Sequence, residues 1–201
     1  MKSKVFKIIC TFTLCFNSVF GGTDELTGEW WATQASKGGI STMRHYKTEG
    51  RVEIKPGIFI WGNYTYDDAS SLSIIYENLV APLYDFTISI SENTLEMKLE
   101  GEPGVILSRE TPGEGLIGKW KGKPDNGPPV DVIYEFTDTN KVYVSVQFQK
   151  AKQGKYTFID KTVSESFSKG NTFSFQLVEQ EGMYFLKNTE NGEIVYQKRT
   201  Y

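Results

Sequence analysis

Cysteine is nearly absent: the 201-residue chain has two, Cys10 and Cys15, both close to its start. Everything after them lacks the thiol, so neither a disulfide, a thiolate zinc site nor a cysteine nucleophile can be built there. Histidine is scarcer still. His45 is the only one, which excludes a histidine metal cluster and any dependable Ser-His-Asp arrangement. It stands between Arg44 and Tyr46 on an expected strand and reads as an ordinary surface or half-buried histidine. Basic charge is also short, with 22 Lys+Arg against 25 Asp+Glu and a net charge of −3. The shortage is local: residues 24–110 carry 7 basic against 14 acidic groups, and residues 111–201 carry 12 against 11. Without a basic face there is no counterion-release term, so nucleic acid is excluded as a partner. Beyond the first 16 residues no apolar run approaches ~18 residues, so no membrane-spanning helix is expected.

What the start does contain is a basic n-region (Lys2, Lys4, Lys7) and an apolar run from Ile8 to Phe16. The small residues Gly21-Gly22-Thr23 follow. Cleavage after Gly21 would place Val19 at −3 and Gly21 at −1, the arrangement of a secretory signal peptide over residues 1–22. The expected mature chain starts near Gly22 or Thr23 and is exported, to a periplasm or outside the cell. Neither cysteine has the small residues before it that a lipoprotein signal needs.

The remainder is written twice. Leu26-Thr27-Gly28-Glu29-Trp30 returns ninety positions later as Leu116-Ile117-Gly118-Lys119-Trp120, an L-x-G-x-W pattern. From Trp30 to Arg109 and from Trp120 to Arg199 the distance is the same, 79 residues. A second anchor lies between, Gly62-Asn63-Tyr64-Thr65-Tyr66 in one copy and Gly154-Lys155-Tyr156-Thr157-Phe158 in the other. Lys155 stands where Asn63 opens a glycosylation sequon, so the sequon is read as part of the anchor. Two units are expected, residues 23–110 and 116–201, joined by the short Glu110–Gly115 link.

Within each unit the pattern is strand-like. Val130, Val132, Tyr134 and Phe136 alternate with polar neighbours, Asp138-Thr139-Asn140 makes a turn, and Val142, Val144, Val146 and Phe148 alternate on the return. Period two in consecutive runs joined by a short turn is an antiparallel hairpin with one buried face. About eight short strands are expected per unit. Ser70–Leu79 has two readings: Leu72, Ile75 and Leu79 fall at helical spacing, while Leu72, Ile74 and Tyr76 fit a strand.

An open sheet of eight strands leaves two edges of unpaired N–H and C=O groups, and closure into a barrel removes them. Closure brings the first strand to the last. On that reading Gly28, Trp30 and Arg109 close unit one, and Gly118, Trp120 and Arg199 close unit two, each arginine stacked over its own unit's indole. The expected fold class is all-β, two tandem antiparallel up-and-down eight-stranded barrels, with β-sandwiches as the alternative. L-x-G-x-W opening a strand-only unit that ends in a lone arginine resembles the small bacterial lipocalin-like (calycin-type) barrel domains. The units are much shorter than a full lipocalin. The resemblance implies binding of a small molecule or a protein, without supplying a ligand.

Candidate chemistry is sparse. Asp67-Asp68 and Asp160 end the anchor strand and read as turn residues. No run of oxygen ligands suggests calcium, and no cofactor or metal is called for. Ser36-Lys37-Gly38-Gly39 and Gly122–Pro129 occupy matching loops and are candidate lids over a barrel mouth. Trp31 and Trp61 have no counterpart in the second unit, where Lys121 and Gln153 stand, so the scaffold does not require them. With Tyr64 and Tyr156 they are the candidate ligand-binding residues. The expected function is an exported, non-enzymatic binding protein that holds a small apolar molecule or a partner protein at a barrel mouth. The alternative is a carboxylate- or tyrosine-based enzyme on the same scaffold, using Asp67, Asp68 and Tyr64.

Overall fold

A computed structural model describes residues 25–36, 38–67, 70–80, 83–124, 130–168 and 170–200. The expected signal peptide lies outside the described residues. In the first half, β1 (Gly28–Ala32), β2 (Ile40–Lys47) and β3 (Arg51–Asp67) are followed by β4 (Ser71–Tyr76), β5 (Leu83–Ile90), β6 (Thr94–Leu99) and β7 (Val105–Arg109). The second half holds β8 (Gly118–Pro124), β9 (Val132–Phe136), β10 (Lys141–Gln147), β11 (Lys152–Ile159), β12 (Thr162–Phe167), β13 (Thr172–Gln180), β14 (Met183–Asn188) and β15 (Ile194–Lys198). Among the described residues the only helical element is a three-residue 3-10 turn, Thr48–Gly50. The helical reading of Ser70–Leu79 is therefore corrected. Leu72, Ile74 and Tyr76 are buried while Ser71 and Ile75 are exposed, so the period-two pattern decides the segment.

All fifteen strands form one antiparallel sheet, and its organising element is β3. At 17 residues β3 is far longer than the usual strand of 3–10. That length lets it serve four neighbours. One edge pairs with β2 over Arg51–Ile58 and with β4 over Gly62–Asp67. The other pairs with β11 over Arg51–Ile54 and with β10 over Gly57–Asn63. The partners change at Pro56-Gly57. Proline has no N–H to strand there, and a Cβ on Gly57 would sit 2.1 Å from the Val146 carbonyl oxygen.

The gap between β2 and β4 is closed by a buried side chain. Asn78 accepts from Trp61 N at 3.0 Å and donates to the carbonyls of Ala32 and Phe59, each at 3.0 Å. Three backbone groups that the ladder leaves over are satisfied by one amide, which explains a polar residue at 4% exposure.

Through β3 the ladder closes on itself twice, giving a barrel-like arrangement. The first ring runs from the C-terminal half of β3 through β4, β5, β6, β7, β8, β9 and β10 and back to β3. The second runs from the N-terminal half of β3 through β11, β12, β13, β14, β15, β1 and β2. This corrects the expectation of tandem barrels. The sheet is continuous across both repeats, and each ring takes strands from both: β8–β10 complete the first and β1–β3 the second. Leu72, Leu95 and Trp120 belong to one core, Trp30, Tyr46 and Leu186 to another. Trp31, Met43, Phe59 and Tyr143 form a third cluster between the rings.

The repeated L-x-G-x-W motif has the same local geometry in both places. Trp30 Nε1 donates to Leu26 O at 2.7 Å and Trp120 Nε1 to Leu116 O at 2.8 Å, with both indoles fully buried. Gly28 and Gly118 lie at φ 123° and 124°, a conformation side chains resist, so glycine is needed between the leucine and the tryptophan.

The expected tryptophan–arginine pairs are corrected. Arg109 faces Trp120 in register and its guanidinium stacks on that ring at 4.0 Å. It donates to the carbonyls of Glu92, Ile117 and Gly115 at 2.9, 2.8 and 2.6 Å. Trp30 faces Lys198, whose ammonium is 6.0 Å from the indole. Lys198, not Arg199, is thus the positional match of Arg109. One residue along a strand reverses the face, and Arg199 lies over Trp31 at 5.5 Å and Tyr143 at 4.3 Å.

Candidate functional site

Three concave regions matter: the open end of each ring and the cleft between the rings. The closed end of ring one is filled by Trp120, Phe136 and Leu95. Toward the other end a cavity of about 440 Å³ opens. Ile58 and Ile60 on β3, Tyr84 and Phe86 on β5, and Val105 on β7 form its apolar wall. Tyr84 and Phe86 are stacked with centroids 6.4 Å apart. Tyr76 and Tyr134 supply the polar atoms at depth, and their phenols share a hydrogen bond. Burial, with the neighbouring phenols adding to it, raises Tyr76 well above the usual phenol range. Burial pushes Tyr134 up to about 12. Both therefore stay neutral at physiological pH.

Gly38 and Gly39 also line this cavity, so the loop after β1 crosses ring one although β1 and β2 belong to ring two. Lys37 and the tip of the matching loop, residues 125–129, lie outside the described residues.

Ring two has the same ladder with a different interior. Arg44 and Glu165, at 4% and 2% exposure, form a buried ion pair. Arg44 Nε reaches the two carboxylate oxygens at 3.0 and 3.2 Å, and the Tyr46 hydroxyl donates to the same carboxylate. Phe173, Phe175 and Tyr196 surround the guanidinium at 5.3, 4.7 and 4.3 Å from their ring centroids. Burial works against the Arg44 charge, but Tyr196, Glu165 and Tyr46 outweigh it and hold the pKa above its ordinary value. Burial, reinforced by Glu165, drives Tyr46 well upward.

The residues singled out from sequence fall in different places. Tyr64 and Tyr156 occupy matching positions near the closed ends, where their hydroxyls donate to Thr137 O at 2.7 Å and Lys47 O at 3.0 Å. Both phenols are raised by burial. Neither lines the ring-one cavity. Trp31 lies on the floor of the inter-ring cleft and Trp61 packs, half-buried, against the same cluster. Asp67 spends its carboxylate on the β3–β4 turn, accepting from Ser70 N at 3.0 Å and Ser71 N at 2.8 Å. Asp68 lies outside the described residues. His45 is half-buried on β2, and burial lowers its pKa.

Tyr76, Tyr134, Arg44 and Glu165 were missed. Glu165 had a readable signal, since it stands between Val163 and Phe167 at inward positions of one strand. The ring-one residues carried none that separates them from ordinary core.

Among the described residues no group of three or more His, Cys, Asp or Glu could hold a metal ion, and no helix is long and apolar enough to cross a membrane. In comparisons with models of protein families, with curated proteins and with solved structures, nothing matches this chain.

Proposed function

We propose that this chain is an exported, non-enzymatic binding protein that takes a small, neutral, largely apolar molecule into the mouth of ring one. The observation that carries the reading is the cavity of about 440 Å³ at that mouth. Its size falls within the ~300–1,000 Å³ of ligand pockets, and an apolar wall with a few convergent polar groups is their usual chemistry. Tyr76 and Tyr134 are the polar groups at depth, and Glu102 stands exposed at the rim. Being neutral, the two phenols suit a hydroxyl or carbonyl on the ligand and offer no counter-charge to an ion. Two eight-stranded up-and-down circuits, each plugged by the tryptophan of an L-x-G-x-W motif, support the lipocalin-like reading. The basic and apolar start of the chain supports export.

The test is titration with the neutral fluorophore N-phenyl-1-naphthylamine. The expected result is saturable uptake with one equivalent bound. Val105→Trp, which places an indole in the mouth, should weaken uptake at least tenfold at unchanged fold. Uptake that is absent, or equal in the parent and Val105→Trp, would overturn the assignment.

A further inference from the structure

Ring two also has a mouth, and its chemistry is not that of ring one. A cavity of about 530 Å³ opens over the buried ion pair, within the ~300–1,000 Å³ of ligand pockets. Its apolar part is Ile54, Phe167, Phe173 and Tyr196. Phe167 and Phe173 meet edge-on with centroids 6.0 Å apart, and Phe173 is 43% exposed, so the fold itself leaves that ring partly uncovered. The charged part is Arg44 and Lys152.

A guanidinium carries five N–H donors, and Arg44 uses one of them within the protein. Its Nε spans the two oxygens of Glu165, while the two terminal nitrogens bond to none of the described residues. Those nitrogens are not sealed either. Among the described residues the side-chain polar atoms with neither a partner nor access to solvent belong to Trp31 and Arg199. Arg44 is 4% exposed and lines the mouth, so the free end of its fork meets the cavity. Donors held at that depth need an acceptor, and the planar fork matches a carboxylate taken by two parallel bonds.

The existing counter-ion does not stand in the way. The Glu165 side chain is 0% exposed, held by Arg44 Nε and the Tyr46 hydroxyl, so a ligand meets the fork and not the carboxylate. Among the described residues no carboxylate lines the mouth. Gln153, at the rim, donates to Glu53 at 2.9 Å, but Glu53 is also paired with Lys47. The Arg44–Glu165 and Lys47–Glu53 pairs each cancel, which leaves Lys152 as the surplus charge of these groups.

We propose that the mouth of ring two binds a monocarboxylate with an apolar body, such as a medium-chain alkanoic acid, acid group first. The carboxylate takes the free end of the Arg44 fork, the body lies against Ile54, Phe167 and Phe173, and Lys152 adds attraction at the rim. Tyr134 stands in ring one where Arg44 stands in ring two. One ladder thus presents a neutral donor and the other a charged one, and the ring-two site does not rest on the ring-one reading.

Isothermal titration of the full chain with octanoate, and with octanamide as the uncharged match, tests the assignment. The expected result is one equivalent of octanoate bound, at least tenfold tighter than octanamide. The methyl resonances of Thr42 and Ile54 should shift on binding, and those of Met97 and Val105 should not. Lys152→Gln, on an exposed side chain that leaves the fold intact, should weaken octanoate severalfold. Arg44→Gln/Glu165→Gln removes both charges together, so neither is buried alone, and should weaken it at least tenfold. Prior loading of ring one with N-phenyl-1-naphthylamine should leave it unchanged. Octanoate binding without fluorophore uptake would remove the ring-one assignment and support this one. The proposal is overturned if octanoate binds no tighter than octanamide, or if Lys152→Gln binds it as the parent does. Shifts confined to the ring-one methyls, or displacement of octanoate by the fluorophore, would overturn it equally.

Discussion

The two rings have equivalent ladders and different interiors. Trp120 pairs with Tyr134 where Trp30 pairs with Arg44. Tyr64 pairs with Ile74 where Tyr156 pairs with Glu165. Gly118 pairs with Phe136 where Gly28 pairs with Tyr46. Three inward positions that read Tyr134, Phe136 and Ile74 in ring one therefore read Arg44, Tyr46 and Glu165 in ring two. The scaffold tolerates either set, because plug, glycine and ladder do not depend on them. What changes is the use of the space. In ring two the charge, its partner and three aromatic rings occupy the depth, below a mouth of about 530 Å³ that Arg44, Lys152 and Gln153 make polar, whereas the cavity of ring one is apolar.

The largest expected effect concerns the exchange of strands between repeats. Residues 25–112 and 113–201 each contain part of both rings and all of neither. Either fragment alone should show no cooperative urea transition, and the two mixed should recover one. A lone fragment with the near-ultraviolet circular dichroism of the parent would mean that each repeat closes on itself.

Next is the charge pair. Glu165→Ile leaves Arg44 buried without its partner and should cost about 3–5 kcal/mol of stability in urea unfolding. Adding Arg44→Tyr and Tyr46→Phe rewrites ring two as ring one and should restore most of the loss. If the triple variant is no better than Glu165→Ile, the two interiors are not interchangeable.

The caps of the closed ends differ more modestly. Arg109→Ala removes a stacked cation and three carbonyl partners and should cost about 1–3 kcal/mol. Lys198→Ala removes a more distant cation from Trp30 and should cost under about 1 kcal/mol. Equal losses in thermal unfolding would contradict the asymmetry.

Much of this was legible in the sequence, for physical reasons that also mark where legibility ends. Period-two alternation is local, so hairpins such as β9–β10 could be read directly. The L-x-G-x-W motif could be recognised because its hydrogen bond spans four residues. Which copy's last strand closes on which first strand is not local. Both copies carry the same pattern, so Trp120 could face Arg109 or Arg199 with equal sequence support. The choice depends on β3 running straight through Pro56-Gly57, while the second repeat interrupts the equivalent stretch between Gln147 and Lys152. Asn78 escaped notice because its role, satisfying groups at Ala32, Phe59 and Trp61, exists only once those strands have met. Trp31 and Trp61 stood out by their absence from the second repeat, but not at a mouth: Trp31 lies in the cleft and Trp61 packs against the cluster beneath it.

The smallest expected effect is the pH dependence. Tyr46, Tyr76 and Tyr134 all have folded-state values above an ordinary phenol. Their contribution to stability is fully present below about pH 10 and declines as pH rises from there through the folded values, because the unfolded chain ionises first. Each phenol removes at most about 1.4 kcal/mol per pH unit in that window. Tyr134→Phe should flatten the decline between about pH 10 and 12, as read from urea midpoints. An unchanged slope would place Tyr134 outside the linkage.

The difference between the rings is tested most directly by nuclear Overhauser contacts from bound N-phenyl-1-naphthylamine to assigned methyl groups. The expected pattern is contact with Ile58, Ile60, Met97 and Val105 of ring one and none with Thr42 or Ile54 at the mouth of ring two. Contacts to the ring-two methyls, with the ring-one methyls silent, would contradict the division of labour between a charged ring and an apolar one.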